Sequence, residues 1–184
     1  MKSRLKPLLF ALLVIAQLGV LGLMILDRHQ LKATGTRIRL ECQPVDPRSL
    51  LSGDYVILTY QISSFDQDEL QRLLKGPEDF KKGREIWIAL EKNQATGFHE
   101  PTGIAGDRSE LKNAALVLRG RIRQAWSGHL EVLYGLEQYF VPQNEGKELE
   151  KNRLRDTSVE VAVNDDGDSA VVAIFVGGTE VKFH

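Results

Sequence analysis

Hydrophobic residues follow two regimes along the chain. From Leu8 to Leu26 they form an almost unbroken run of 19 residues, with Gln17 as its only strongly polar member. Beyond position 36 they alternate with polar residues in short segments, separated by Gly, Pro, Asn and Asp. A helix rising about 1.5 Å per residue nearly spans a hydrocarbon core of about 30 Å with such a run. Lys2, Arg4 and Lys6 precede it, and Asp27, Arg28 and His29 close it. A cleaved signal peptide has a shorter apolar core, about 7–15 residues, ending at a small-x-small site. The nearest such triplet, Ala33-Thr34-Gly35, lies several residues past the run. The pattern therefore predicts an uncleaved membrane anchor. Basic residues flank both ends, but long domains translocate largely regardless of charge, and a short basic tail stays inside. The expected layout is a cytoplasmic tail over 1–7, an anchor over 8–26, a short linker over 27–35 and an extracytoplasmic domain over 36–184.

Within that domain the period is mostly two. Residues 36–43 alternate charged and apolar side chains, which predicts a half-buried strand with Ile38, Leu40 and Cys42 on its inner face. Residues 55–60 read as a central strand, 85–90 as another, and 116–126 and 130–140 as two long strands around Ser127-Gly128. Residues 66–74 shift to a helical period, with Asp66 as N-cap and Gly76-Pro77 as stop. A second, charged surface helix is expected over 145–155, and a Gly-rich irregular connection over 95–109. The clearest hairpin joins 158–163 to 169–176 through Asn164-Asp165-Asp166-Gly167, and Gly177-Gly178 turns into a last strand at 179–183. About eight strands and one or two short helices make a mainly β domain, barrel-like or sandwich.

Charge narrows the function classes. Twenty-four Lys and Arg against 25 Asp and Glu give a net charge of −1, which excludes a basic nucleic-acid binder and an acidic tail protein. The single cysteine excludes an internal disulfide framework. The four histidines are scattered and read as isolated surface residues, and His99-Glu100 lacks a second histidine four residues on. Asn164 to Asp168 lacks the twelve-residue loop and terminal Glu of a calcium site, so it reads as a turn. Trp87 and Trp126 read as core anchors. The pattern implies no metal and no cofactor. The stretch Pro47 to Asp54 is superficially similar to the segment near the catalytic serine of signal peptidases, but residues 42–46 hold no serine ahead of Pro47. A serine site using Ser49 or Ser52 would need a base from a distant part of the chain.

Two longer stretches carry a family resemblance. Gly53-Asp54-Tyr55-Val56-Ile57-Leu58-Thr59-Tyr60 matches all five fixed positions of the motif that names the GDYXXLXY family of bacterial membrane-anchored proteins, and Val45-Asp46-Pro47-Arg48 resembles its lead-in. Tyr134-Gly135-Leu136-Glu137-Gln138-Tyr139-Phe140-Val141-Pro142 resembles a second block of that family. Gln143-Asn144 then intervene before Glu145-Gly146, a departure from the family's run. The resemblance implies no established activity and transfers no catalytic residue. It does imply a polytopic membrane protein as partner, because members are often encoded beside such proteins.

Gly53 and Asp54 are good turn chemistry entering a strand. The two motif tyrosines are read as wedges whose hydroxyls find buried partners. The functional alternative has Asp54, Tyr55 and Tyr60, with Glu137, lining a groove. Gly53, Asp54, Tyr55, Leu58, Tyr60, Glu137 and Tyr139 are the candidate binding residues, and Arg48 is a candidate partner for Glu137. The expectation is a non-enzymatic, single-pass ectodomain in the bacterial cytoplasmic membrane that binds or stabilises a polytopic partner. An envelope hydrolase or a small-ligand module with a site near the motif is the alternative. The sequence does not set the oligomeric state.

Overall fold

The computed structural model describes residues 2–43, 55–76, 80–126, 128–140 and 157–181. Helix α1, Lys2–Thr34, is 33 residues long and contains the apolar run. Its segment Leu9–Thr34 is long and apolar enough to cross a membrane, and none of the residues in its most apolar stretch is buried against the rest of the chain. The segment expected as a linker, 27–35, is instead the last turns of this helix and its exit. Nothing in Asp27 to Thr34 breaks a helix, and tertiary contacts hold these turns. Leu31 is buried, and Arg28 donates from Nη1 to the Ser169 carbonyl at 2.6 Å. The chain leaves at Gly35, where a Cβ would lie 2.6 Å from the Leu31 carbonyl and 3.1 Å from Ala162 Cβ. Only glycine allows so close a pass.

Eleven strands follow among the described residues: β1 Thr36–Glu41, β2 Tyr55–Ile57, β3 Ser64–Phe65, β4 Glu85–Lys92, β5 His99–Ala105, β6 Val117–Trp126, β7 His129–Leu133, β8 Gln138–Phe140, β9 Thr157–Val163, β10 Ser169–Val176 and β11 Thr179–Val181. Their strand pairs are antiparallel, in sheets ordered β1-β9-β10-β11 and β3-β7-β6-β4-β5 with a separate β2-β8 ribbon. The inner faces of the two sheets share one core. Ile38, Leu40, Val159, Val161 and Ile174 meet Ile86, Ile88, Leu118, Ile122 and Val132 in a single apolar cluster. Cys42 joins it, its thiol pushed up to about 12 by burial and by neighbouring Glu41. The mainly β expectation is met, as two sheets that share one core.

Local signals placed the short elements well. Helix α2, Gln67–Leu73, starts at Asp66, whose Oδ1 accepts from Glu69 N–H at 2.8 Å while Glu69 Oε2 accepts from Asp66 N–H at 3.1 Å. The β9–β10 turn is held by Asn164 Oδ1, which accepts from Asp166 N–H and Asp168 N–H. Its Gly167, at φ +83°, hands its carbonyl to Arg119 N–H on β6 at 2.8 Å, bridging the two sheets.

Four expectations change. Residues 55–60 form no continuous central strand: Tyr55–Ile57 pairs in the two-stranded ribbon, and Tyr60 makes an isolated antiparallel bridge to Cys42. Residues 130–140 are not one strand, because Gly135 turns at φ +73° between β7 and β8. The expected irregular stretch 95–109 contains β5, an edge strand that tolerates Pro101 and Gly103 because one side needs no ladder partner. Trp126 is no core anchor: it is 48% exposed at the hairpin end, its ring centroid 4.5 Å from that of His129. Trp87 packs on a small outer cluster with Ala89, Leu111 and Val117. The helix expected over 145–155 lies outside the described residues.

Candidate functional site

The two stretches that resemble the family blocks are bonded to each other. Strand β2 carries Tyr55 to Ile57 and pairs with β8 in the register Tyr55↔Phe140, Val56↔Tyr139 and Ile57↔Gln138. Leu58 N–H continues the contact to the Glu137 carbonyl at 2.8 Å. The tyrosine hydroxyls then cross. Tyr60 donates to the Leu136 carbonyl at 2.7 Å, and Tyr134 donates to the Ile62 carbonyl. Each phenol is buried and donates to a carbonyl two residues from the other tyrosine. Burial, followed by the nearby Cys42 and Glu137, raises the Tyr60 hydroxyl well above its ordinary pKa; burial and Glu137 do the same for Tyr134. Both stay neutral donors.

This clasp decides where each candidate residue sits. Leu58 is 2% exposed and Tyr60 0%, so both side chains pack in the core. Tyr139 packs, half-buried, against the same core. Glu137 is half-buried, and its Oε1 accepts from the Tyr134 N–H, closing the turn that separates β7 from β8. Among the described residues the partner of its carboxylate is thus the Tyr134 backbone amide, while the anticipated cation Arg48 lies outside them. Gly53, Asp54, Arg48, Ser49 and Ser52 lie outside the described residues, and Tyr55 is placed by its backbone alone. Sequence reasoning missed Gly120, where a Cβ would come within 2.4 Å of Val132 Cγ1 and 3.1 Å of the Tyr134 ring. Its absence of a side chain makes room for that ring.

One face of the clasp turns outward into a cleft of about 640 Å³. It is lined by Tyr134, Gly135 and Glu137, by Arg119 and Arg121 of β6, and by Asp27, Arg28 and Leu31 of α1. Arg119 is paired with Asp168 and lies 3.9 Å from Glu85, while Arg121 is exposed. A smaller cavity of about 260 Å³ lies on the other side, beside Leu58 and Thr59, and Glu137 borders both. The larger cleft offers guanidinium and carboxylate groups around a small apolar wall, which suits the binding of a polar chain segment. Among the described residues no group of three or more His, Cys, Asp or Glu is placed to hold a metal ion.

His99 is not the isolated surface residue anticipated. Its Nδ1 accepts from Arg39 N–H at 3.2 Å, joining β5 to β1, and burial lowers its pKa. His129 Nε2 lies 3.1 Å from Ser64 Oγ. A family model described as GDYXXLXY protein matches residues 17–174. No curated protein and no solved structure matches the chain.

Proposed function

The chain belongs to the GDYXXLXY family, and from that premise we propose that it is a single-pass, extracytoplasmic, non-enzymatic domain that binds or stabilises a polytopic membrane protein at the cytoplasmic membrane. One observation carries this reading. The apolar helix runs without interruption into its contact with β9 and β10, so the cleft has a fixed place relative to the anchor. From Leu26 to Thr34 the helix rises roughly 12 Å. The cleft, bordered by Asp27, Arg28 and Leu31, then opens within the headgroup layer, within reach of a short loop of a neighbouring membrane protein. The motif in this reading is a clasp that shapes one wall of the cleft. Among the described residues it touches the partner through the Tyr134 to Glu137 turn.

The cleft volume also falls within the usual range of small-molecule sites, about 300–1,000 Å³. That keeps a small-ligand module as the second reading. The test is site-specific photocrosslinking of the full-length chain in its native membrane. A photoreactive residue at Arg121 or Leu133 is expected to capture a membrane protein, whereas one at Gln94, beyond the opposite end of β4, is not. Equal capture at all three positions, or none at any, contradicts partner binding at the cleft.

A further inference from the structure

We infer that the partner's contact continues into the bilayer along one stripe of α1, centred on Gln17, and that the occupant is a transmembrane helix ending at the membrane surface beneath the β domain. This rests on the proposed function above. An α-helix turns once every 3.6 residues, so steps of three and four stay on one face. Counting back in such steps from Leu31 and Arg28, which dock on the β domain, the same face carries Met24, Leu21, Gln17 and Val14. The stripe is therefore continuous with the wall of the cleft.

Gln17 sits near the middle of the apolar run, at the depth where water is absent. Its amide has two donors and an acceptor, no other part of the chain buries it, and an unpartnered amide in hydrocarbon is strongly disfavoured. A hydrogen-bonding side chain from a neighbouring helix satisfies it. Leu21 and Met24, 55% and 65% exposed in the isolated chain, flank it with the apolar packing surface such a helix needs.

The geometry also separates a polytopic partner from a second copy. A second copy facing this one through the same stripe would carry its own helix straight on to Thr34. That helix would enter the volume where β9 and β10 already dock on Arg28 and Leu31. The occupant must instead stop or turn back at the surface. A helical hairpin with a short loop does so, and its loop emerges under the 640 Å³ cleft.

The experiment places a photoreactive phenylalanine derivative at Leu21, at Arg121, or at Ile15 on the opposite face, in full-length protein in native membranes. Adducts are identified by peptide sequencing. Leu21 and Arg121 are expected to capture the same protein, one with two or more spans, and Ile15 not to capture it. Gln17→Leu should lower the Leu21 yield roughly three- to tenfold, and Gln17→Asn should restore part of it. Unchanged thermal unfolding of the β domain in both variants shows that the fold is intact. A Leu21 adduct of two copies of this chain overturns the inference, as does equal capture at Ile15 or full yield from Gln17→Leu. Capture at Arg121 without capture at Leu21 overturns it while leaving the proposed function standing. Capture at neither position removes both.

Discussion

Tyr60 and Tyr134 each place a hydroxyl where only a carbonyl oxygen is available, in a core that water does not reach. Removing one hydroxyl leaves its acceptor unpartnered. Tyr60→Phe is therefore expected to cost about 1–3 kcal/mol in denaturant unfolding of the detergent-solubilised chain, and Tyr134→Phe a similar amount. The two donate to neighbouring stretches of one clasp, so the double variant should depart from additivity. Gly120 supplies a sharper steric test. Gly120→Ala forces a methyl against Val132 Cγ1 and the Tyr134 ring, and overpacking of this kind costs about 1–3 kcal/mol. Gly106→Ala, where nothing lies within 4 Å and φ is not positive, should be close to neutral by the same measurement.

At the scale of elements, the seam between β1 and β5 adds a pH dependence. His99 can accept from Arg39 N–H only with Nδ1 unprotonated, and Arg39 in turn lies with its guanidinium carbon 4.0 Å from the centre of the Phe175 ring. Burial lowers the folded-state pKa of His99 below its ordinary value of 6.5, so the unfolded chain takes up the proton first on acidification. This contribution is complete above about pH 6.5 and is lost as pH falls from there through the folded-state pKa. Thermal midpoints measured from pH 7.5 down to about 5.5 should fall less steeply in His99→Gln than in the parent chain. The sequence hid this bond because it joins strands about 60 positions apart. The same distinction separates what was legible from what was not. Asp66 with Glu69, and Asn164 with Gly167, signal their elements through partners within a turn, and both were readable. Pro101 and Gly103 masked β5, since edge position is a property of the sheet. The two motif blocks were each visible, and the burial of Tyr60 with a partner for its hydroxyl was expected. Their mutual pairing was not, nor was the cleft, which needs α1, β6 and the Tyr134 turn together.

For the whole molecule, binding at a cleft fixed above the membrane requires α1 and the β domain to move as one body. Arg28, Leu31 and Gly35 make that junction, and a side chain at position 35 has no room. Gly35→Val should loosen it, because the added atoms meet the Leu31 carbonyl and Ala162; rising amide exchange in residues 27–35 would register the change. The most direct measurement is a spin-label distance between Met24→Cys in the helix and Arg121→Cys in the cleft, in full-length protein reconstituted in bilayers. Cys42 is buried with its thiol pushed up to about 12, so it stays unlabelled. A rigid junction gives one narrow distance distribution that broadens in Gly35→Val. A broad or multimodal distribution in the parent chain would mean a hinged domain, with no fixed place for the cleft at the membrane, and would contradict the account.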